Sequence, residues 1–377
     1  MPLQTNRPSA LQGDITTLSF DKIAVPDEVA LPAGLHFLPE WYPQSAVQIS
    51  WPHEATDWAP MLSEVTRCYL ALAYAIASRQ PLLITVPDPA PLRRLLEEQL
   101  PTKVVQRIRI VACPTNDTWV RDYGYLTVKD AEGFRLLDFR FNGWGGKFEA
   151  SLDNAVNRQI ASLITGRRVD CDDYELEGGS VETDGEGTLL TTARCLCNAN
   201  RNGGLTEAEC EAVLSERLGV SRFLWLHHGY LAGDDTDSHI DTLARLCPDH
   251  TIVYVGCDDP SDEHFAELQA MEEELRAFRT PDGRPYRLLR LPWPEPCFDP
   301  EGERLPATYA NYLVLNDAVL YPTYNQPATD LAAAEVLAKA FPSRSVVGVD
   351  CRPLIHQHGS LHCATMQYPR TVLNLDL

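Results

Sequence analysis

Short apolar runs and amphipathic stretches alternate along the chain from about residue 34 onward. Residues 46–51 read as a strand. Residues 60–78 read as a helix, because Leu62, Val65, Leu70, Leu72 and Ile76 recur at near-helical spacing. A buried strand is expected at 82–86, a short helix at 90–100 and another strand at 105–113. The helix-then-strand order returns three times: at 206–218 and 223–227, at 262–278 and 286–291, and at 329–341 and 345–349. Thr206 is the expected N-cap of the first of these helices, with Glu209 at the capping-box position. The third is expected to open at Thr329-Asp330. A further helix is expected near 152–165. Short strands fill the intervals, at 123–128, 134–141, 188–192, 251–255, 312–316 and 319–321. One helix plus several short strands per period implies a repeated α/β unit around a centre, not a doubly wound sheet. Residues 1–33 read as an irregular lead-in. Neither GxGxxG at a strand-to-helix turn nor GxxxxGK[ST] occurs, so the sequence carries no nucleotide fingerprint.

Composition narrows the function classes. The 377 residues suffice for a large core without disulfides or metals to hold it. Asp and Glu number 53 against 32 Lys and Arg, a formal net charge of −21. Such a surface repels phosphate backbones and anionic membranes, which excludes nucleic acid and lipid as expected partners. It suits a small cationic substrate, although solubility alone explains much of the excess. Eleven cysteines are scattered, with no CxxC pair, so neither a disulfide framework nor a zinc ribbon is expected. The start lacks a basic region followed by an apolar core, and the longest mostly apolar run, 69–77, is far too short to span a bilayer. The expectation is a reduced, soluble, cytoplasmic protein; self-association is left open.

Four polar segments stand at strand ends in corresponding places of successive units. The first is Asn116-Asp117-Thr118-Trp119-Val120-Arg121-Asp122-Tyr123-Gly124; read alone, it is also an Asx-turn with a local ion pair. In Leu176-Glu177-Gly178-Gly179-Ser180 a carboxylate precedes a tight turn, where backbone can approach a ligand closely. The third is Asp234-Asp235-Thr236-Asp237-Ser238-His239-Ile240-Asp241. In an extended chain His239 and Asp241 share a face, and a carboxylate near an imidazole suits acid/base work. No second His lies at ligand spacing, which speaks against a metal. In His358-Gly359-Ser360-Leu361-His362-Cys363 a cysteine follows a Gly-Ser turn; the alternative is a small buried hydrophobe. His362 would point away from Cys363 and is not taken as its partner. Together these groups suit a thiolate attacking a planar cation, with carboxylates gripping its N–H groups and a His moving protons.

At these residues the sequence resembles the agmatine deiminase and bacterial peptidylarginine deiminase family of the guanidine-modifying pentein superfamily. The resemblance runs from about Phe37 to Pro369. It is carried by Leu38-Pro39-Glu40-Trp41, Trp51-Pro52-His53, Asp117-Thr118-Trp119-Val120-Arg121-Asp122, Phe141-Asn142-Gly143-Trp144-Gly145-Gly146-Lys147, the Glu177 and His239 segments, and Leu361-His362-Cys363.

The resemblance implies a pentein five-bladed α/β propeller with pseudo-fivefold repeats, one domain over 34–377, and a central site. It implies Cys363 as nucleophile and Asp122 and Asp241 as guanidinium clamps. It further implies His239 as general acid/base, Glu177 supporting it and touching the substrate, and Trp119 lining the channel. Asp117 and Lys147 match motif positions without an assigned role. Neither metal nor organic cofactor is implied. The implied reaction converts agmatine to N-carbamoylputrescine and ammonia through a covalent thiouronium, a step of polyamine synthesis. Deimination of peptidyl or free arginine is the alternative, and a non-catalytic pentein the second. Two departures concern loop shape: Gln357-His358-Gly359-Ser360 replaces a Gly-rich run, and Ser238 stands where Gly is commoner.

Overall fold

The computed structural model describes residues 33–375 and 377. The expected lead-in, 1–33, lies outside them except for Ala33. Among the described residues, five sheets of three or four strands share one pattern, an antiparallel pair followed by a parallel third strand. The parallel pair needs a crossover, and in four of the five sheets a helix supplies it. In the first sheet Gln44–Ser50 and Leu82–Val86 are joined through the helix Leu62–Ala77. Thr188–Thr192 and Arg222–Leu226 are joined through Glu207–Leu218. Thr251–Val255 and Arg287–Leu291 are joined through Phe265–Ala277, and Ala318–Thr323 and Ser345–Asp350 through Pro327–Ala340. The last strand, Met366–Pro369, returns to pair antiparallel with Gln44–Ser50, so the C-terminus completes the sheet begun near the N-terminus. This is the repeated five-unit α/β architecture of the pentein type.

Local physics explains the units. Leu82–Val86 is buried along its whole length, as a strand covered on both faces must be. The helix Leu62–Ala77 buries Val65, Cys68, Tyr69, Leu72 and Ile76, while Leu62 and Leu70 are only partly covered. Thr206 and Glu209 form the full capping box at the start of Glu207–Leu218.

Three expectations need correction. The helix near 152–165 is instead a run of short turns, Asp153–Ala155, Val156–Gln159 and Ala161–Leu163. Its polar side chains bond elsewhere: Asp153 accepts from the backbone of Asn116 and Asp117, Asn154 from that of Phe141, and Asn157 donates to Tyr123. The second unit therefore spends its crossover on bracing the Asp117–Asp122 segment. The strand at 123–128 starts only at Leu126, because Val120–Tyr123 is a helical turn. His239 and Asp241 do not lie in an extended strand; Asp241 sits in the 3-10 turn Ile240–Thr242.

Candidate active site

The first strands of the five sheets begin at Leu126, Val181, Ala244, Leu313 and Met366. Immediately before each lies a turn with a chemistry-bearing side chain: Asp122, Glu177, Asp241, Asn311 and Cys363. The repeat therefore gathers five loops from distant parts of the chain. Backbone bonds lock some of them together, as Arg121 N–H donates to the Cys363 carbonyl at 3.2 Å.

Cys363 is 5% exposed. Its Sγ lies 3.2 Å from Asn311 Nδ2 and 3.7 Å from Asp241 Oδ2. The Asn311 carbonyl oxygen accepts from the backbone N–H of His362 and of Cys363, which fixes the nucleophile segment. Burial, then the charges of Asp241 and Asp122, push the Cys363 thiol well above its ordinary pKa. His239 Nδ1 lies 3.6 Å from Asp122 Oδ1, and Nε2 lies 3.4 Å from Glu177 Oε2. Burial opposes its imidazolium, but Asp122, the neighbouring Cys195 and the Glu177 contact together outweigh burial and raise its pKa well above the usual value. Burial lifts Asp122 to about 6, against the His239 charge and with Asp241 and Glu177 adding to the rise. Asp122 accepts from Trp144 Nε1 and from Gly179 N–H, both at 2.9 Å. Two buried polar atoms here lack a hydrogen-bond partner, Asp241 Oδ1 and His239 Nδ1.

Gly179 is required where it stands. A Cβ there would lie 2.7 Å from His239 Nδ1, 2.8 Å from Asp122 Oδ1 and 3.2 Å from Asp241 Oδ2. Its bare backbone thus sits among all three groups. A cavity of about 390 Å³ reaches Cys363 past Trp119, Trp144, Phe148, Asp57, Asp117, Asp122 and Asp235. The expected channel aromatic, Trp119, packs against Gly359, where a Cβ would come within 2.4 Å of its ring. A larger cavity of about 550 Å³, lined by Glu40, Arg121, Glu182 and His362 among others, does not reach the thiol.

All six sequence-predicted residues, Cys363, His239, Asp122, Asp241, Glu177 and Trp119, lie around this centre. The sequence reading missed several others. His362 does turn away from the thiol, but its Nδ1 lies 2.8 Å from Asp241 Oδ2, and its Nε2 lies 2.6 Å from Glu40 Oε2. Burial notwithstanding, His362 holds Asp241 below the ordinary carboxylate range. Trp144 was seen only as a motif letter. Asn311 had one available signal, its place ahead of the fifth unit's first strand. Arg201 had none. Of the residues without a role, Asp117 accepts from Trp58 Nε1 at 3.1 Å and from Thr118 N–H at 2.7 Å, and burial lifts it to about 6. Among the described residues two clusters have the donor set of a metal site, Glu177 with Cys195 and His239, and Glu40 with Glu182 and His362. A guanidinium already bonds the carboxylates of each: Arg201 sits 2.7 Å from Glu177, and Arg245 sits 2.9 Å from Glu40 and also bonds Glu182.

Residues 36–369 match the family of Porphyromonas-type peptidyl-arginine deiminases. The chain belongs to that family. A Pseudomonas syringae pv. tomato agmatine deiminase is 32% identical over 360 residues, covering 89% of this chain and 96% of that one. A C. jejuni agmatine deiminase solved with substrate bound, carrying a cysteine-to-serine change, has a TM-score of 0.82 at 36% identity over 93% of this chain and all of that one. A Porphyromonas gingivalis protein, provisionally described as an arginine deiminase, has a TM-score of 0.85 at 50% identity over 90% of this chain and all of that one. Membership in this deiminase family makes the chain a hydrolase acting on carbon–nitrogen bonds, of the agmatine deiminase type. Among the described residues no helix is long and apolar enough to cross a membrane.

Proposed function

We propose that this deiminase hydrolyses the guanidinium of agmatine to N-carbamoylputrescine and ammonia, with Cys363 as nucleophile, in a reducing cytoplasmic setting. The observation that carries the proposal is a buried thiol facing carboxylates with spare capacity. Asp241 Oδ1 has no hydrogen-bond partner, and burial, with Asp241 and Glu177 adding to it, lifts Asp122 to about 6 against the His239 charge. A guanidinium supplies N–H donors in a planar fork that fits two such carboxylates.

The steps follow from these positions. The cation docks between Asp122, Asp241 and Glu177, and its charge offsets the carboxylates that keep the thiol protonated. Ionisation of Cys363 is then coupled to binding. The thiolate attacks the guanidinium carbon, and a C–S bond forms. His239 gives a proton to the departing nitrogen, the C–N bond breaks, and ammonia leaves. A water molecule loses a proton to His239 and attacks the thiouronium carbon. The C–S bond then breaks, the hydroxyl proton of the adduct passes to the departing sulfur to restore the thiol, and the ureido product is released.

Agmatine is preferred because the channel carries Asp57, Asp117 and Asp235 against a single basic side chain, His358, and no Lys or Arg among its lining residues. Those carboxylates suit the far amine of a dication and repel an α-carboxylate. The 50% identity to the P. gingivalis protein keeps arginine, free or in peptides, as the second reading. Ammonia release from agmatine, free arginine and a blocked arginine peptide decides between them. Agmatine is expected to give the highest kcat/KM, and Cys363→Ser is expected to lower kcat by at least about 10³-fold. Preference for an arginine substrate overturns the substrate assignment, and activity surviving Cys363→Ser overturns the mechanism.

A further inference from the structure

The acid/base pair is tied to a single buried cation that the reaction itself does not use. Arg201 follows the short helix Ala193–Leu196, and its side chain is 1% exposed. Its Nε donates to both oxygens of Glu177, at 2.9 and 2.7 Å. Its Nη1 donates to Asp237 Oδ2 at 2.6 Å and to Asn200 Oδ1 at 2.9 Å, and Nη2 donates to the Thr236 carbonyl at 3.0 Å. One guanidinium therefore bridges the Glu177 turn and the loop that delivers His239.

That loop is strained. Asp237 and Ser238, the two residues before His239, both have φ of 66°, a region that disfavours side chains. The strain gives a reason for glycine being commoner at the Ser238 position. Here the turn is held by other means. The Asp237 carboxylate takes Arg201, Lys147 Nζ at 3.1 Å and Asn200 Nδ2 at 3.2 Å. Ser238 N–H donates to Asp234 at 2.8 Å, and its carbonyl accepts from Thr192 at 2.8 Å. Lys147, a motif residue without a role so far, is thus the outer arm of the same clamp.

We propose that Arg201 is a positioning residue: it holds Glu177 against His239 and, through Asp237 and Lys147, pins the strained turn that presents His239 to the thiol. The proposal rests on the reading of His239 as the proton carrier. A lysine could reach one of the two carboxylates but not fork across both, so the guanidinium geometry is part of the role. Burial works against the Glu177 anion, yet its bonds to His239 and Arg201 hold it below the usual carboxylate range. Removing the Arg201 charge raises the proton affinity of the Glu177–His239 pair as a unit.

The test uses the full chain with Arg201→Met, Arg201→Lys and Asp237→Asn. Steady-state kinetics across pH are read beside the ring titration of labelled His239 by NMR, which needs no turnover. Arg201→Met is expected to lower kcat by about tenfold or more while KM changes by less than about threefold. The alkaline limb of the kcat profile, where His239 loses the proton it must give, and the His239 midpoint are both expected to move to higher pH. Arg201→Lys is expected to recover part of kcat, and Asp237→Asn to show a smaller shift in the same direction. Unchanged limb and midpoint in the Arg201 variants, with kcat and KM altered only in step with a lower melting temperature, overturn the proposal. Should Arg201→Met fail to fold, an unchanged limb and midpoint in Asp237→Asn overturn it instead. If the wild type turns over no guanidino compound, the proposed function fails, and the His239 titration still decides this inference.

Discussion

Two groups of buried carboxylates meet at the centre of the molecule, one behind Cys363 and one in front of it, and they are compensated differently. Behind, Glu40 lies 2.9 Å from Arg245, 2.6 Å from His362 and 3.6 Å from Arg121. Burial alone would raise its pKa, but these neighbours hold it far below the usual range. Glu182 shares Arg245 and is left raised by burial. The Arg245 guanidinium also donates to the carbonyls of Ala310 and Tyr312 and lies over the Tyr312 ring. In front, no arginine among the described residues bonds Asp122 or Asp241: Asp122 is raised to about 6, while Asp241, held low by His362, keeps one oxygen without a hydrogen-bond partner. Where this chain builds structure, it supplies its own guanidinium. Where it is proposed to bind, it leaves that place to a guest of the same chemistry. Charge count cannot tell the two apart; a guanidinium bonded to the carboxylates can.

The comparison predicts unlike failures. The largest concerns the back. Arg245→Met strands two buried carboxylates and is expected to cost about 3–5 kcal/mol, read from urea unfolding. An unchanged midpoint would remove the structural half of the contrast. Next comes the front. Asp122→Asn is expected to lower kcat/KM by about 100-fold, as the loss of a charged hydrogen bond to the cation. The same change is expected to raise the melting temperature at neutral pH. The sign follows from linkage. The folded pKa of about 6 exceeds the ordinary value of 3.8, so the wild type loses stability as pH rises between them. The gain from Asn is therefore full above about pH 6 and gone below the ordinary carboxylate range. A variant equally stable at all pH values would mean that Asp122 is as well compensated as Glu40.

A third outcome is in the rate itself. As pH falls through about 6, Asp122 takes up a proton, and kcat/KM is expected to drop by about tenfold per unit. Asp122→Asn is expected to lose that limb. The smallest effect is at the channel wall. Gly359→Ala drives a methyl into Trp119 and is expected to cost about 1–3 kcal/mol, with KM rising more than kcat falls. Equal KM values would show that the Trp119 wall does not touch substrate.

Much of the fold was legible along the chain. The strands at 82–86, 188–192 and 251–255 and the helix capped by Thr206 stand where patterning placed them, because each is a local rule of period or capping. The stretch at 152–165 was misread because its Asp and Asn side chains serve partners far away in sequence, which no local window contains. The innermost strands Val181–Thr183 and Ala244–Cys247 were too short and too close to polar turns to show a period.

The sequence by itself determined the repeated α/β unit, the acidic balance, and through its motifs the family and the six residues now found around one centre. Those are properties of neighbours in the chain and of residue type. Only the tertiary structure decided which charges are compensated. Arg245 reaches Glu40 across 205 residues, Asn311 reaches Cys363 across 52, and Arg201 reaches Glu177 across 24. Proton affinity and hydrogen bonding depend on distances of a few ångströms, and the fivefold folding of the chain is what sets them.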